Sequence, residues 1–280
     1  MRAAIIIPVY NRRDDLRECL LALPEETLRT RDCEVIVVDD GSTDGAGEMV
    51  AAEFPHVRLA RTEGNSGPAH ARNIGSRLAR GALLVYLDSD AVPEPGWLDA
   101  LLAHDDGDTV LIGHTLDYHT GVVQGGPRRA TFIGKSLPCR TDRANTGPSC
   151  NLAAPRRCFD AVNGFDESIP YYFEDSFFCI NARRAGFRFT YVAEAVVRHK
   201  GSAVRQGQAI RLQEHNSVYA MLGLYRRSWP KLLAFTAANG CWLAWRVLYW
   251  GLTGRIGDVR LLLDGWTGAH KRFLTSGRHK

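Results

Sequence analysis

Among the 280 residues there is no C-x-x-C pair, and the seven cysteines are odd in number. A zinc ribbon needs thiolates at short spacing and a disulfide scaffold pairs its cysteines, so the pattern argues against both and fits a reducing compartment. H-E-x-x-H and G-x-S-x-G are absent too, which removes zincin and α/β-hydrolase chemistry. Gly45-Ala46-Gly47 is followed by Val50 where a dinucleotide fingerprint wants its third glycine, and Gly134-Lys135-Ser136 has Arg129 where a phosphate loop would begin. Glycine (27) and proline (12) are too few and scattered for a collagen-like or low-complexity chain. The apolar run from Ala3 to Ile7 stops at Pro8, short of a signal peptide, so cytoplasmic placement without export is expected. Acid is scarce toward the end of the chain. Residues 201–280 hold 12 Lys+Arg against 3 Asp+Glu, a net of +9, whereas residues 1–200 hold 23 against 28, a net of −5. Such a basic tail can meet phosphorylated ligands, nucleic acid or an anionic membrane, and charge alone does not choose.

The first 115 residues alternate between strand and helix. Ala3 to Pro8 reads as a strand buried on both faces, and Leu16, Cys19, Leu20 and Leu23 then recur at helical spacing. Glu34 to Asp39 is a second buried strand, Ala46 to Phe54 a helix, and Val57 to Ala60 a short strand. A helix follows from Pro68 to Arg80, with Pro in its first turn, then a strand from Leu83 to Leu87. This rhythm implies an α/β fold with a mostly parallel sheet and right-handed crossovers. Gly121 to Arg143 lacks periodicity and reads as a loop region or lid. Beyond it come a turn at Gly164-Phe165-Asp166-Glu167, a helix from Asp175 to Ala185, and strands near Phe189 and Val196.

Ligands of such sheets bind beyond the carboxyl ends of the strands. Here those ends are Pro8-Val9-Tyr10-Asn11, Asp39-Asp40-Gly41-Ser42 and Asp88-Ser89-Asp90. Asp88 and Asp90 can approach one hard cation, Mg²⁺ or Mn²⁺, or they can cap a turn before the helix that Pro95 opens. Asp39 and Asp40 can accept from a nucleobase or a ribose hydroxyl, or cap the next helix, a task that suits Asp44 better. Glu174-Asp175 sits where acids favour a helix dipole, yet a carboxylate there also makes a general base. His199 by itself reads as structural or exposed.

Taken in order, these pieces resemble the family-2 glycosyltransferases of the GT-A fold. The residues that carry the likeness are Ile5 to Asn11, Val35 to Asp44, Asn65 to Gly75 and Leu87 to Asp90, then Gly164 to Glu167, Glu174-Asp175 and His199. The resemblance implies a GT-A catalytic domain over 1–202, with a nucleotide-sugar half (1–115) and an acceptor half (116–202). It also implies a nucleotide-diphosphate sugar donor, UDP favoured, and Mn²⁺ or Mg²⁺ on the diphosphate. Carried over by position, Pro8, Tyr10, Asn11, Asp39 and Asp40 hold the nucleoside, Arg72 and Ser89 lie beside it, and Asp88 faces the ribose. Asp90 binds the metal with Asp88 and His199. Asp175 is the base of an inverting displacement onto a hydroxyl acceptor, with Glu174 beside it. The family commonly places an acid and an arginine two and six residues after this pair, where this chain has Phe177 and Asn181. The Q-x-x-R-W motif of the processive synthases is missing, so transfer of one sugar, hexosyltransferase-type, is expected. A non-catalytic nucleotide-sugar binder and a nucleotidyltransferase are the rival classes; the latter would want a glycine- and arginine-rich loop at residues 8–11.

Residues 203–280 form a basic, Trp-rich helical appendage. Leu232 to Leu252 is apolar but broken by Asn239 and Arg246, and five of the six tryptophans lie in the last 52 residues. That pattern suits a helix lying in a membrane interface better than one crossing it. Peripheral attachment to the anionic inner face of the membrane is the expectation, with no nucleic-acid partner; the acceptor is left open among a lipid-linked saccharide, a polysaccharide and a small metabolite. The other readings are packing on the catalytic domain and a homodimer interface.

Overall fold

The computed structural model describes residues 1–169, 171–201 and 206–276, which fall into two compact units. Met1–Arg129, Leu137–Pro170 and Glu174–Gly201 make the first, and Ala130–Ser136, Tyr171–Phe173 and Ser202–Lys280 the second. The boundary expected at 202/203 lies outside the described residues.

In chain order the first unit begins with β1 (Ala3–Val9), α1 (Arg13–Leu21), α2 (Glu25–Thr30), β2 (Cys33–Asp39), α3 (Ala46–Glu53) and β3 (Arg58–Arg61). It continues with α4 (Pro68–Leu78), β4 (Leu83–Tyr86), β5 (Ala91–Pro93), α5 (Trp97–His104) and β6 (Thr109–Asp117). Next come the short strands β7 (Val123–Gly125), β8 (Arg128–Ala130) and β9 (Ser136–Pro138), where a loop was expected. β10 (Leu152–Pro155), α6 (Arg156–Val162), α7 (Glu174–Arg184) and β11 (Arg188–His199) complete the series.

The main sheet runs β3-β2-β1-β4-β10-β6-β11-β5, with β7 on β6. The strands from β3 to β4 are parallel, as the alternation predicts, and β6 and β11 are parallel to each other. β10 inserts antiparallel between these two blocks. Every residue of β1 is buried, Ile5 and Ile7 in the core on one face and Ile6 in the core on the other. α4 lies against this strand so closely that a Cβ on Gly75 would come within 2.5 Å of Ile6 Cγ2. Glycine is therefore the residue that allows the helix to pack there.

The two strands expected near Phe189 and Val196 are one, β11, interrupted by a register shift between Val192 and Val196. The Asn151 side chain binds at this irregularity. Its Nδ2 donates to Ala195 O (2.8 Å) and His114 O (2.9 Å), while Oδ1 accepts from Trp97 Nε1 at 2.8 Å.

The second unit carries three helices, α8 (Gln206–Tyr225), α9 (Trp229–Leu252) and α10 (Ile256–Ser276). Within it Lys135 donates to buried Glu214 at 2.7 Å and to Ser217 Oγ at 3.2 Å. No helix among the described residues is long and apolar enough to cross a membrane.

Candidate active site

Strand order decides what meets at the carboxyl edge. β1 lies between β2 and β4, so the turns after all three open side by side. At the first, Pro8 is buried, whereas the Tyr10 side chain is 43% exposed and Asn11 is exposed with φ at +52°. Asn11 Oδ1 accepts from Thr43 N at 2.8 Å, and Asn11 N donates to Ser42 Oγ at 3.0 Å, which ties this turn to the next.

Asp39 and Asp40 are both buried. Asp39 Oδ1 accepts from Ser42 N at 2.7 Å. Its Oδ2 has Arg61 Nε at 3.5 Å and no hydrogen bond, and a Cβ at Gly47 would stand 2.8 Å from that oxygen. Asp40 is saturated: it accepts from Gly67 N (2.7 Å), Ser66 N (3.1 Å) and Thr62 Oγ1 (2.9 Å). These donors sit just ahead of α4, so Asp40 holds the start of that helix. Asp44 caps as expected, accepting from Ala46 N at 3.1 Å and Arg13 N at 2.8 Å.

The third turn is built differently. Arg72, nearly buried on α4, donates from Nη2 to Asp88 Oδ1 (2.7 Å) and from Nη1 to Glu174 Oε1 (3.0 Å), and lies over the Phe165 ring at 5.7 Å. Arg72 thus stands between two carboxylates. Ser89 is buried. Asp90 is brought to His199 by register, because β5 pairs antiparallel with the end of β11, Ala91 opposite His199. His199 Nε2 stands 3.2 Å from Asp90 Oδ1, and Arg12 Nη1 stands 3.2 Å from Oδ2. The other imidazole nitrogen, Nδ1, faces Gln124 Oε1 at 3.2 Å. Burial lowers the pKa of His199, but the hydrogen bond and charge of Asp90 outweigh it and leave the imidazole above its ordinary value.

α7 presents Glu174 and Asp175 in its first turn. Burial pushes the Glu174 carboxyl up to about 7, helped by the charge of Asp175 and opposed by Arg72, and Glu174 Oε2 has no hydrogen-bond partner. Burial also raises Asp175, whose Oδ2 accepts from Ser149 N at 3.4 Å. The turn at Gly164–Glu167 is braced from α4: Asn73 Oδ1 accepts from Phe165 N at 2.9 Å, and Nδ2 donates to Glu167 Oε1 at 2.7 Å.

Sequence reasoning passes over Arg12, Gln124 and Cys150. Arg12 follows β1 directly, so the rule that sites lie beyond strand ends already points at it. Cys150 precedes β10, and with Asp88 and His199 it sets three donor atoms within 4.8 Å of one another. Burial pushes its thiol well up. The protonated sulfur is a weak ligand, so the donors suited to a hard cation are carboxylate oxygens and imidazole nitrogen.

The order of this sheet, its acidic carboxyl edge and the trailing helices define the GT-A class of α/β fold. The sequence profile of Glycosyl transferase family 2 matches residues 4–159, and the chain belongs to that family. It is 25% identical over 201 residues to the glycosyltransferase AglE of Haloferax volcanii, a match covering 70% of this chain and 66% of that protein. It is 27% identical over 268 residues to the pre-mycofactocin glycosyltransferase of Mycobacterium tuberculosis, covering 91% of this chain and 54% of that one. The chain therefore spans between about half and two thirds of the length of these two relatives. Among solved structures, S. aureus TarS 1–349 in complex with UDP shares the fold, with a TM-score of 0.58 at 18% identity, covering 100% of this chain and 93% of that chain.

Proposed function

We propose that this chain moves one sugar from a nucleotide-diphosphate sugar to a hydroxyl acceptor, with inversion at the anomeric carbon and without processive elongation. The observation that carries this reading is one cluster at the carboxyl edge: Asp90 paired with His199, and Asp88 joined through Arg72 to the Glu174-Asp175 pair. The UDP named with the TarS structure supports a UDP-sugar as donor. The acceptor fits a lipid-linked saccharide if the protein works on the inner face of the membrane.

A divalent cation, Mn²⁺ or Mg²⁺, fits this edge. Both oxygens of Asp90 already face cationic groups, Arg12 and His199, and an imidazole fixed through its second nitrogen by Gln124 is oriented as metal-ligating histidines are. Asp90, Asp88 and His199 would hold the cation, and it would neutralise charge growing on the leaving diphosphate.

The remaining work falls to the chain. The exposed ring of Tyr10 offers a stacking face for a base, between Pro8 and Asn11. Asp39 Oδ2 is the unsatisfied acceptor on the nucleoside side, while Asp40 holds the loop that borders it. Asp88 and Ser89 receive the ribose. Arg72 fixes Asp88 and Glu174 by two charge-assisted hydrogen bonds, so the acid cluster keeps its geometry. Asp175 takes the proton of the acceptor hydroxyl as that oxygen bonds to the anomeric carbon and the bond to the diphosphate breaks. A pKa raised by burial makes it a stronger base than a free carboxylate. The test is thermal stabilisation by a panel of nucleotide sugars with Mn²⁺, followed by product detection. A UDP-sugar is expected to raise Tm in Mn²⁺ and not in excess chelator; no stabilisation by any nucleotide sugar would overturn the reading.

A further inference from the structure

The helix α9 is built inside out. Of its 24 residues only Phe235, Asn239 and Trp250 are buried, and one of these is an amide. Trp229, Leu233, Trp245, Leu248, Tyr249 and Leu252 are instead each more than half exposed. Trp245 stacks on Tyr249 with centroids 5.5 Å apart and meets Trp242 at 5.4 Å, so aromatic rings line up on the surface. Two polar groups of the helix, Asn239 and Arg246, turn the other way. Asn239 Oδ1 accepts from Trp266 Nε1 of α10 at 2.7 Å, and the Arg246 guanidinium lies 3.9 Å over the Trp250 ring.

At 100° per residue the exposed apolar side chains share one broad face. The two charged residues of α9 leave it clear, Lys231 lying at its edge and Arg246 on the opposite side. Basic residues bracket the face, with exposed Arg226, Arg227 and Lys231 at one end and exposed Arg260 beyond the other. A second copy seated here, in either orientation, would bring like charges together. An anionic surface neutralises them, and aromatic rings beside basic residues are what a headgroup boundary favours.

We infer that the outward face of α9 docks onto an anionic lipid bilayer, the helix lying in the plane of the headgroups rather than crossing. This attachment is independent of the chemistry proposed for the sheet edge. Burial of the face supplies the salt-resistant part, and the flanking arginines and lysine the salt-sensitive part.

The experiment is co-sedimentation of the full chain with phosphatidylcholine vesicles, with or without phosphatidylglycerol, at low and high salt. Binding is expected to the anionic vesicles above the neutral ones, with partial release by salt. The variant Leu248→Glu/Leu252→Glu, both side chains being exposed and so free of folding consequences, is expected to bind about tenfold more weakly or worse, because each change puts a charge where apolar area would be buried. Arg226→Glu/Arg227→Glu should erase the preference for anionic lipid. Nucleotide-dependent thermal shifts, measured on the same samples, should be unchanged in both variants, which separates this attachment from the donor site. Three results would overturn it: a protein that stays in the supernatant with anionic vesicles at low salt, vesicle binding untouched by Leu248→Glu/Leu252→Glu, or a dimer by light scattering that the same variant dissolves.

Discussion

The carboxylates at the end of β2 and those gathered at the turn after β4 and the start of α7 have different partners. Asp39 and Asp40 accept chiefly from backbone amides, those of Ser42, Ser66 and Gly67. Asp88, Asp90 and Glu174 face side chains: Arg72, Arg12 and His199. An amide partner is fixed by the path of the chain and cannot be exchanged without opening a loop. A guanidinium or an imidazole can turn from a carboxylate to a ligand. Asp40, with its oxygens held by amides, is therefore scaffold, while under the proposed function the side-chain-paired carboxylates and the open Asp39 Oδ2 are the part of the edge that would meet the ligand.

This contrast breaks most visibly through Asp90 and Asp175. Asp90→Asn is expected to lower kcat/KM by about 10³ or more with little change in Tm, since it removes the carboxylate proposed for the cation and leaves the core untouched. Kinetics with Mn²⁺ beside a thermal melt would check this, and full activity in excess chelator would remove the cation from the scheme. Asp175→Asn is expected to cut kcat by about 10² or more while donor affinity stays within a few-fold. Weakened donor binding with near-normal turnover would make Asp175 a donor ligand.

Asp40→Ala should show the opposite pattern. It leaves the Ser66 and Gly67 amides without their acceptor, so unfolding free energy should fall by about 3 kcal/mol in urea titration. A stability unchanged by Asp40→Ala, with donor binding lost, would turn Asp40 from scaffold into ligand.

How far the contrast is legible in the sequence depends on what each feature is made of. β1, β2 and β4 read directly, because strands buried on both faces are unbroken runs of Val, Ile and Leu. β10 does not: Leu-Ala-Ala-Pro has no period, and its antiparallel insertion is decided by the strands on either side. Cys150 and Asn151 go unnoticed with it. The three-residue strands β7 to β9 carry no pattern either. The acids of the edge are visible as residues, yet the sequence leaves Asp40 evenly between cap and ligand. Only the return of the chain through Thr62 to Gly67 decides what its oxygens meet. His199 gains its partner from the pairing of β5 with β11, a contact between residues more than 100 positions apart.

The smallest effect is a slope. Burial holds the Glu174 carboxyl at about 7 in the folded protein against an ordinary value of 4.5. Between those values the folded state binds more protons than the unfolded one, so the contribution of this group to stability is greatest below pH 4.5, falls as pH rises through the window, and is constant above about 7. Asp175, also raised by burial, adds to the same slope at its acidic end. Glu174→Gln can still accept from Arg72 Nη1 but cannot titrate. The variant is therefore expected to show a flatter dependence of Tm on pH between 4.5 and 7 than the parent, with the two curves parallel above 7. Equal slopes in the parent and Glu174→Gln would mean that Arg72 fully offsets the burial of Glu174.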